Sequence, residues 1–218
     1  FTLGANWQFA EGLGAFARYT DTGRLPSPSE FQGSVGDAVR TDIRVTPVLM
    51  LEAGLKWVGE SHSLYVTAFQ SEFTGVRFTD NVFNSTTNSF TTRVGYADTN
   101  TFGIELEGDV SFGQMFYVRG AVTWQQPEYE SFTFTNNVGG TPVVVTFNGN
   151  QLIRVPELSA RINPGVNLLG GRLRAELDAE HYSKRYADAA NSQSLPAYEV
   201  FGANVMWQAT ERLSLGFH

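Results

Sequence analysis

The stretch RLRAELDAEHY, Arg172–Tyr182, decides the fold. Leu173, Ala175, Leu177 and Ala179 alternate in it with Arg172, Arg174, Glu176, Asp178 and Glu180. Wound as a helix, the segment scatters charge over every side. Extended as a strand, it sends every ionisable group to one face and every aliphatic to the other, because successive side chains point oppositely. The same division recurs from Phe102 to Phe112, where Phe102, Ile104, Leu106, Gly108, Val110 and Phe112 oppose Glu105, Glu107 and Asp109. Further apolar rows are Leu3, Ala5, Trp7, Phe9; Leu49, Leu51, Ala53, Leu55, Trp57; Val118, Gly120, Val122, Trp124; Leu158, Ala160, Ile162; Phe201, Ala203, Val205, Trp207; and Leu213, Leu215, Phe217.

This pattern predicts about ten strands, at 1–9, 13–20, 48–58, 63–79, 97–111, 115–129, 156–168, 172–183, 198–208 and 212–218. Their connections alternate in length. Tight ones fall at Ala10–Gly12, Gly59–His62, Phe112–Gln114, Leu169–Gly171 and Ala209–Arg212, and long polar ones at 21–47, 80–96, 130–155 and 184–197. Short then long, repeated, is the meander of a transmembrane barrel with tight periplasmic turns and large external loops. Trp7, Trp57, Phe112 and Trp207 then lie at the lower strand ends on the apolar face, as an interfacial girdle. At the upper ends the candidates are Tyr19 and Trp124, with His181 an uncharacteristic occupant.

Composition agrees with an all-β membrane fold. The 218 residues are 42% hydrophobic, enough to fold, yet only 17% are charged and 13% are aromatic, with 22 Gly and no Cys. The absence of Cys excludes disulfides, thiolate metal sites and Cys nucleophiles. A net charge of -7 argues against nucleic acid as a partner. No run reaches the roughly 18 apolar residues of a membrane helix, and the longest uncharged stretch, Ser131–Ile153, is rich in Asn, Thr and Gly. A mean hydropathy of -0.18 suits strands that alternate. No basic, then apolar, leader opens the sequence.

In hydrocarbon the backbone has no water to bond, so strands must pair all round. The expected lipid-facing residues are Leu51, Leu55, Ile104, Leu106, Val118, Val122, Leu173, Leu177 and Val205. Those expected to line the lumen are Glu105, Glu107, Asp109, Arg119, Arg161, Arg172, Arg174, Glu176, Asp178 and Glu180. Arg119, Arg161, Arg172 and Arg174 should pair with some of these acids across neighbouring strands. On this basis Leu177→Arg should cost ~2–4 kcal/mol near the bilayer midplane, and Glu176→Gln should be mild. Parity adds an expectation: both Phe1 and His218 come to the outer side, so at least one strand is missing from each end. A closed ten-stranded barrel would need its first and last strands to pair.

The order of segments resembles the C-terminal half of the barrel of a TonB-dependent outer-membrane receptor. FARYTDTGRLPSPSEF (Phe16–Phe31) is similar to that family's strand and Pro-Ser loop, LEAGLKW (Leu51–Trp57) to its E-x-G-x-K strand, and SLYVTAFQSEFTGVRF (Ser63–Phe78) to the strand that follows. TFGIELEGDVSFGQMFYVRGAVTW (Thr101–Trp124) resembles its G-x-E-x-E hairpin. RVPELSARINPGVNL (Arg154–Leu168), then Arg172–Trp207 and LSLGFH, complete the order. The resemblance implies a single barrel segment over 1–218, an antiparallel up-and-down fragment of a barrel of about 22 strands, without the plug, the energy-coupling segment or the closing strand. For the parent it implies a Gram-negative outer-membrane location and uptake of a bulky, scarce ligand, a ferric siderophore first, with carbohydrate, haem or cobalamin as others. Outer-membrane lipid, the plug and the inner-membrane TonB motor complex are the implied partners.

No cofactor, metal or catalytic motif is present: His62, His181 and His218 lack metal-ligand spacing, and there is no His-Glu-x-x-His or P-loop. His62, in a tight turn, is expected to be solvated. The acidic series at i, i+2 spacing reads better as a wall ladder than as paired catalytic carboxylates. Ligand contacts are expected from the long loops, with Phe83, Phe90, Phe132, Asn137 and Tyr186 as candidates. Two other classes stay open: a small outer-membrane enzyme or adhesin barrel, with His181 beside Asp188 or Ser183, and a soluble carbohydrate-binding β-sandwich.

Overall fold

A computed structural model describes residues 1–26, 45–84, 88–138 and 141–218. The strands are β1 (Thr2–Ala10), β2 (Leu13–Arg24), β3 (Thr46–Val58), β4 (His62–Asn84), β5 (Ser89–Phe112), β6 (Phe116–Val138), β7 (Thr141–Thr146), β8 (Leu158–Leu168), β9 (Leu173–Tyr182), β10 (Arg185–Tyr186), β11 (Ser194–Leu195), β12 (Tyr198–Thr210) and β13 (Leu213–Phe217). The main sheet runs β1-β2-β3-β4-β5-β6-β8-β9-β12-β13, each strand antiparallel to the next, with β7 attached to β6 alone. β10 and β11 form a separate two-stranded ribbon. Within the described residues β1 and β13 each have one partner, and they do not pair with one another.

Short turns close one end of the sheet. At the first of them Gly12 takes φ 71 and its carbonyl accepts the Val58 N–H at 2.7 Å. A side chain there would run into the Val58 carbonyl, so glycine is required both for its backbone angle and for the close approach.

At the other end three strands are much longer than their apolar alternation indicates. β4, β5 and β6 have 23, 24 and 23 residues. The ladder between β4 and β5 continues through Thr79↔Val94 to Asn84↔Ser89, so most of the polar connection expected at 80–96 is paired strand. A bulge between Phe73 and Val76 sets off this extension; Gly75 sits in it at φ 68 and donates its N–H to Asp98 Oδ1 at 2.8 Å. A second irregularity, between Asp98 and Thr99, steps β5 against β6.

Among the described residues no second layer covers the sheet. Among the described residues the buried apolar cluster is Ala97, Tyr129 and Phe132, packed by Phe78, Phe147, Leu152 and Ala189, all at the long-connection end. The large apolar side chains of the sheet stand open instead: Trp7 is 69% exposed, Leu177 58% and Phe201 77%. A soluble sandwich would pack such rows together in a dry interior, so that alternative fails.

Candidate functional site

Residues opposite each other in a ladder share a face. Leu55 opposes Ala15 and Val66, Val66 opposes Leu106, Leu106 opposes Val122, and Val122 opposes Ala160. On the same face, Leu173 opposes Trp207, Ala175 opposes Val205 and Leu177 opposes Ala203. Leu51, Ile104 and Val118 share it by parity. Trp7, Trp57, Phe112 and Trp207 lie on it near the short turns, and the Trp7 ring lies tilted against Phe9 with centroids 5.4 Å apart. His62, expected to be solvated, is only partly exposed. Its ring meets Trp57 edge-on at 4.3 Å, and its Nε2 is buried without a hydrogen-bond partner. At the opposite end of this face His181 Nδ1 lies 3.1 Å from Glu199 Oε1.

The other face carries the charges, and they are joined across strands. Arg18 pairs with Glu52, and Arg161 Nη2 with Glu180 Oε1 at 2.7 Å. Glu176 Oε2 accepts from Tyr117 at 2.8 Å, from Arg174 Nη2 at 3.0 Å and from Arg119 Nη2. Asp178 accepts from the amides of Asn163 and Asn204, and Asp109 from Ser63. Glu105 meets Thr123 Oγ1 at 3.4 Å. Arg119 stands opposite Asp109 in register but turns to Glu176. The expected pairing of Arg172 with an acid is overturned. Arg172 sits in the turn after β8, and its guanidinium donates to the Gln208 and Ala209 carbonyls at 3.2 and 2.7 Å.

Three glycines make room for aromatic rings on this charged face. Phe16 lies over Gly54, Phe69 over Gly103 and Tyr117 over Gly165, each ring covering the glycine opposite it in the neighbouring strand. Any side chain at these positions would collide with the ring. The arrangement lets Tyr117, on β6, cross β8 to reach Glu176 on β9. Tyr117, Asn163 and Asn204 belong to the network although the alternation did not single them out; their shared parity with Arg119, Arg161 and Glu176 was the available signal.

At the long-connection end the segment around Asn150 and the one around Asn191 are stapled together. Asn191 accepts the Gln151 N–H through Oδ1 at 2.8 Å and donates to the Gln151 carbonyl through Nδ2 at 3.0 Å, while Asn150 Nδ2 donates to the Ala189 carbonyl at 2.8 Å. Asp188 accepts from the Gln193 N–H at 2.7 Å and from the Ser192 hydroxyl at 2.8 Å. Partial burial opposes its charge, yet the Gln193 and Ser192 donors win and its carboxyl is held below the usual value. Phe132, a candidate for ligand contact, is 3% exposed and belongs to the aromatic core, so it offers no surface. Phe83, Phe90 and Asn137 have side chains outside the described residues; Phe83 and Phe90 oppose each other in the β4/β5 ladder. Tyr186 is on β10, its phenol 2.9 Å from Lys184 Nζ.

Neither catalytic pair forms. His181 faces Glu199, Ser183 Oγ accepts the Leu158 N–H at 3.0 Å, and Asp188 is occupied by its own loop. Among the described residues no three His, Asp or Glu side chains converge to hold a metal.

The family described as TonB dependent receptor-like, beta-barrel, matches residues 1–218. Among solved structures, the siderophore receptor PiuA from Acinetobacter baumannii superposes with a TM-score of 0.73 at 18% identity over 99% of this chain and 30% of its own. The ferric yersiniabactin uptake receptor FyuA from Yersinia pestis gives 0.69 at 15% identity, over 99% and 30%. The copper transporter OprC gives 0.71 at 14% identity, over 99% and 32%. This chain therefore spans about a third or less of the length of these structures. No curated protein matches it in sequence.

Proposed function

The chain belongs to the TonB-dependent receptor β-barrel family, and from that premise we propose that it forms part of the barrel wall of an outer-membrane receptor that imports a ferric siderophore. Members of this family are transporters rather than enzymes. The observation that carries the reading is the division of one continuous ten-strand path into an exposed apolar face and an ion-paired face. In this reading Leu51, Leu55, Ile104, Leu106, Val118, Val122, Leu173, Leu177 and Val205 meet acyl chains, and Trp7, Trp57, Phe112 and Trp207 mark the periplasmic interface. Glu105, Glu107, Asp109, Arg119, Arg161, Arg174, Glu176, Asp178 and Glu180 line the bore and face a plug supplied elsewhere in the parent. Among the described residues the outer edges of β1 and β13 have no partner, which supports continuation of the wall on both sides, since open edges are excluded from hydrocarbon. Siderophore cargo is supported by the similarity to the siderophore receptor PiuA and the ferric yersiniabactin uptake receptor FyuA.

Deletion of the parent gene, followed by growth under iron limitation with single purified ferric siderophores, tests the function. The expected result is loss of growth on at least one siderophore, restored by the intact gene and abolished again when the energy-coupling motor is removed. Undiminished growth on every ferric siderophore, with loss of growth on haem, cobalamin or a carbohydrate instead, would overturn the cargo assignment.

A further inference from the structure

We propose that a groove on the apolar face, headed by His181 and Glu199, holds one phospholipid, with an acyl chain along the groove and a primary ammonium on Glu199; the proposal rests on the membrane-wall reading above. Leu106, Val122, Ala160, His181 and Glu199 follow one another across β5, β6, β8, β9 and β12 in a single ladder row. One row nearer the short turns, Gly108 opposes Gly120, Gly120 opposes Ile162, Ile162 opposes Ala179 and Ala179 opposes Phe201. The small side chains leave a depression of about 790 Å³, inside the roughly 300–1,000 Å³ of small-molecule clefts. It runs from the His181–Glu199 pair past Ile162 to Gly108 and Gly120, and Phe201, 77% exposed, walls one side. Ser63, Asp109, Arg161 and Glu180 also border it, but their polar ends pair on the charged face. A trough of this kind facing hydrocarbon takes an acyl chain, because a void would forfeit the dispersion contacts of its lining.

The polar end of the groove decides which lipid fits. His181 Nδ1 lies 3.1 Å from Glu199 Oε1; with Nδ1 donating, the ring keeps Nε2 as an acceptor and the carboxylate keeps Oε2. The Glu199 side chain is 55% exposed, so its second oxygen is within reach of a ligand. Two acceptors beside a negative charge suit a group with a positive charge and several N–H donors, which a primary ammonium supplies. The rest of the rim has the same sign. Asp21, Glu72 and Glu128 lie in one ladder row with Leu49 and Asn100, on the parity of the apolar face at the long-connection end. Between that row and the short turns no Lys or Arg of the described main-sheet strands takes this parity: Arg18, Lys56, Arg119, Arg161 and Arg174 all turn to the charged face. Such a rim repels head groups that carry phosphate alone and favours phosphoethanolamine, whose ammonium can face the acids. A carboxylate on a lipid-facing row costs little near the interface, and the ammonium offsets what remains.

The test uses the full-length parent protein in detergent and counts retained lipid by native mass spectrometry, after exchange against phosphatidylethanolamine or phosphatidylglycerol with identical acyl chains. One phosphatidylethanolamine should be retained, at least about tenfold more tightly than phosphatidylglycerol, which has the phosphate but no ammonium. Glu199→Gln should bring the two lipids to within about twofold of each other. Ala179→Phe, which fills the groove with another apolar group, should weaken both about tenfold. Asp21→Asn, at a rim acid outside the groove, should bind like wild type. Heat-modifiable migration on gels and insertion into vesicles check that every variant is folded. Equal retention of the two lipids by wild type, retention of lipid A in their place, or an undiminished preference in folded Glu199→Gln would overturn the site. Retention of no lipid by a protein that inserts into vesicles would also overturn it and leave the membrane-wall reading standing. A parent protein that does not insert would overturn that reading, and the site with it.

Discussion

Tyr117 reaches Glu176 across an intervening strand, its hydroxyl 2.8 Å from Glu176 Oε2, because the residue lying between them is Gly165. The contact depends on a missing side chain as much as on a present one. Gly165→Ala should push the ring aside and break the bond, whereas Tyr117→Phe removes the hydroxyl and keeps the ring over the glycine. The Phe variant should lose about 1–2 kcal/mol, the lower range for a bond to a charged group open to water. The Ala variant should lose more, since the ring is also displaced. Urea unfolding of the parent in detergent would rank the two, and a milder Ala variant would contradict the role given to Gly165.

Leu177 and Glu176 are neighbours in sequence that look in opposite directions. Leu177→Arg should cost ~2–4 kcal/mol if it sits near the bilayer midplane. Glu176→Gln is no longer expected to be mild, because three donors share its Oε2 and two of them are guanidinium groups. About 1–2 kcal/mol is the expected loss after allowance for the half-exposed arginines. Refolding yield into vesicles of graded thickness separates the two effects: only the Leu177 variant should respond to bilayer thickness.

Asn191 imitates a strand by pairing with both backbone groups of Gln151. Gln151 is 8% exposed, so Asn191→Ala leaves a donor and an acceptor with little water in reach. About 1–3 kcal/mol of local stability should vanish for each group left unsatisfied. Hydrogen exchange at Gln151 should then accelerate while exchange in β9 does not change. Equal protection in the variant would show that the aromatic core alone holds this segment.

Asp188 carries a depressed pKa, and the sign of its pH effect follows. Its bonds to Ser192 and Gln193 stabilise the loop fully above the ordinary aspartate range and are lost only as pH falls through its lowered value. At pH about 4, where an ordinary aspartate is half protonated, the Gln193 amide should still be protected, and protection should disappear at more acid pH. Asp188→Asn should remove that acid step. An Asp188 loop that opens at or above pH about 4 would contradict the depressed value.

How much of this was legible in the sequence depended on whether a feature needs a partner. The two faces of β5 and β9 can be read from Glu105–Asp109 and Arg174–Glu180 alone, because period two is a property of one strand. The lengths of β4, β5 and β6 could not, because beyond the apolar belt both faces are polar and the alternation fades although the ladder continues. Partner choice was also hidden. Arg119 stands opposite Asp109, yet its long side chain reaches past β8 to Glu176. Arg172 fits the alternation but is caught by the turn, where two carbonyls compete for it. Phe132 looked like a loop aromatic because its burial is supplied by Phe78, Tyr129 and Phe147, remote or separated in sequence.

Within the described residues β1 and β13 each have an open flank, which bears on how the segment can be handled in the laboratory. Each flank offers a row of amide donors and acceptors to any extended chain that approaches, and the all-exposed Thr2–Ala10 strand has nothing to deter it. Produced by itself, the segment should stack flank to flank into ribbons and collect in inclusion bodies. Supplying the remaining staves, or a short peptide that seats along either flank, is the rational route to a soluble preparation in detergent.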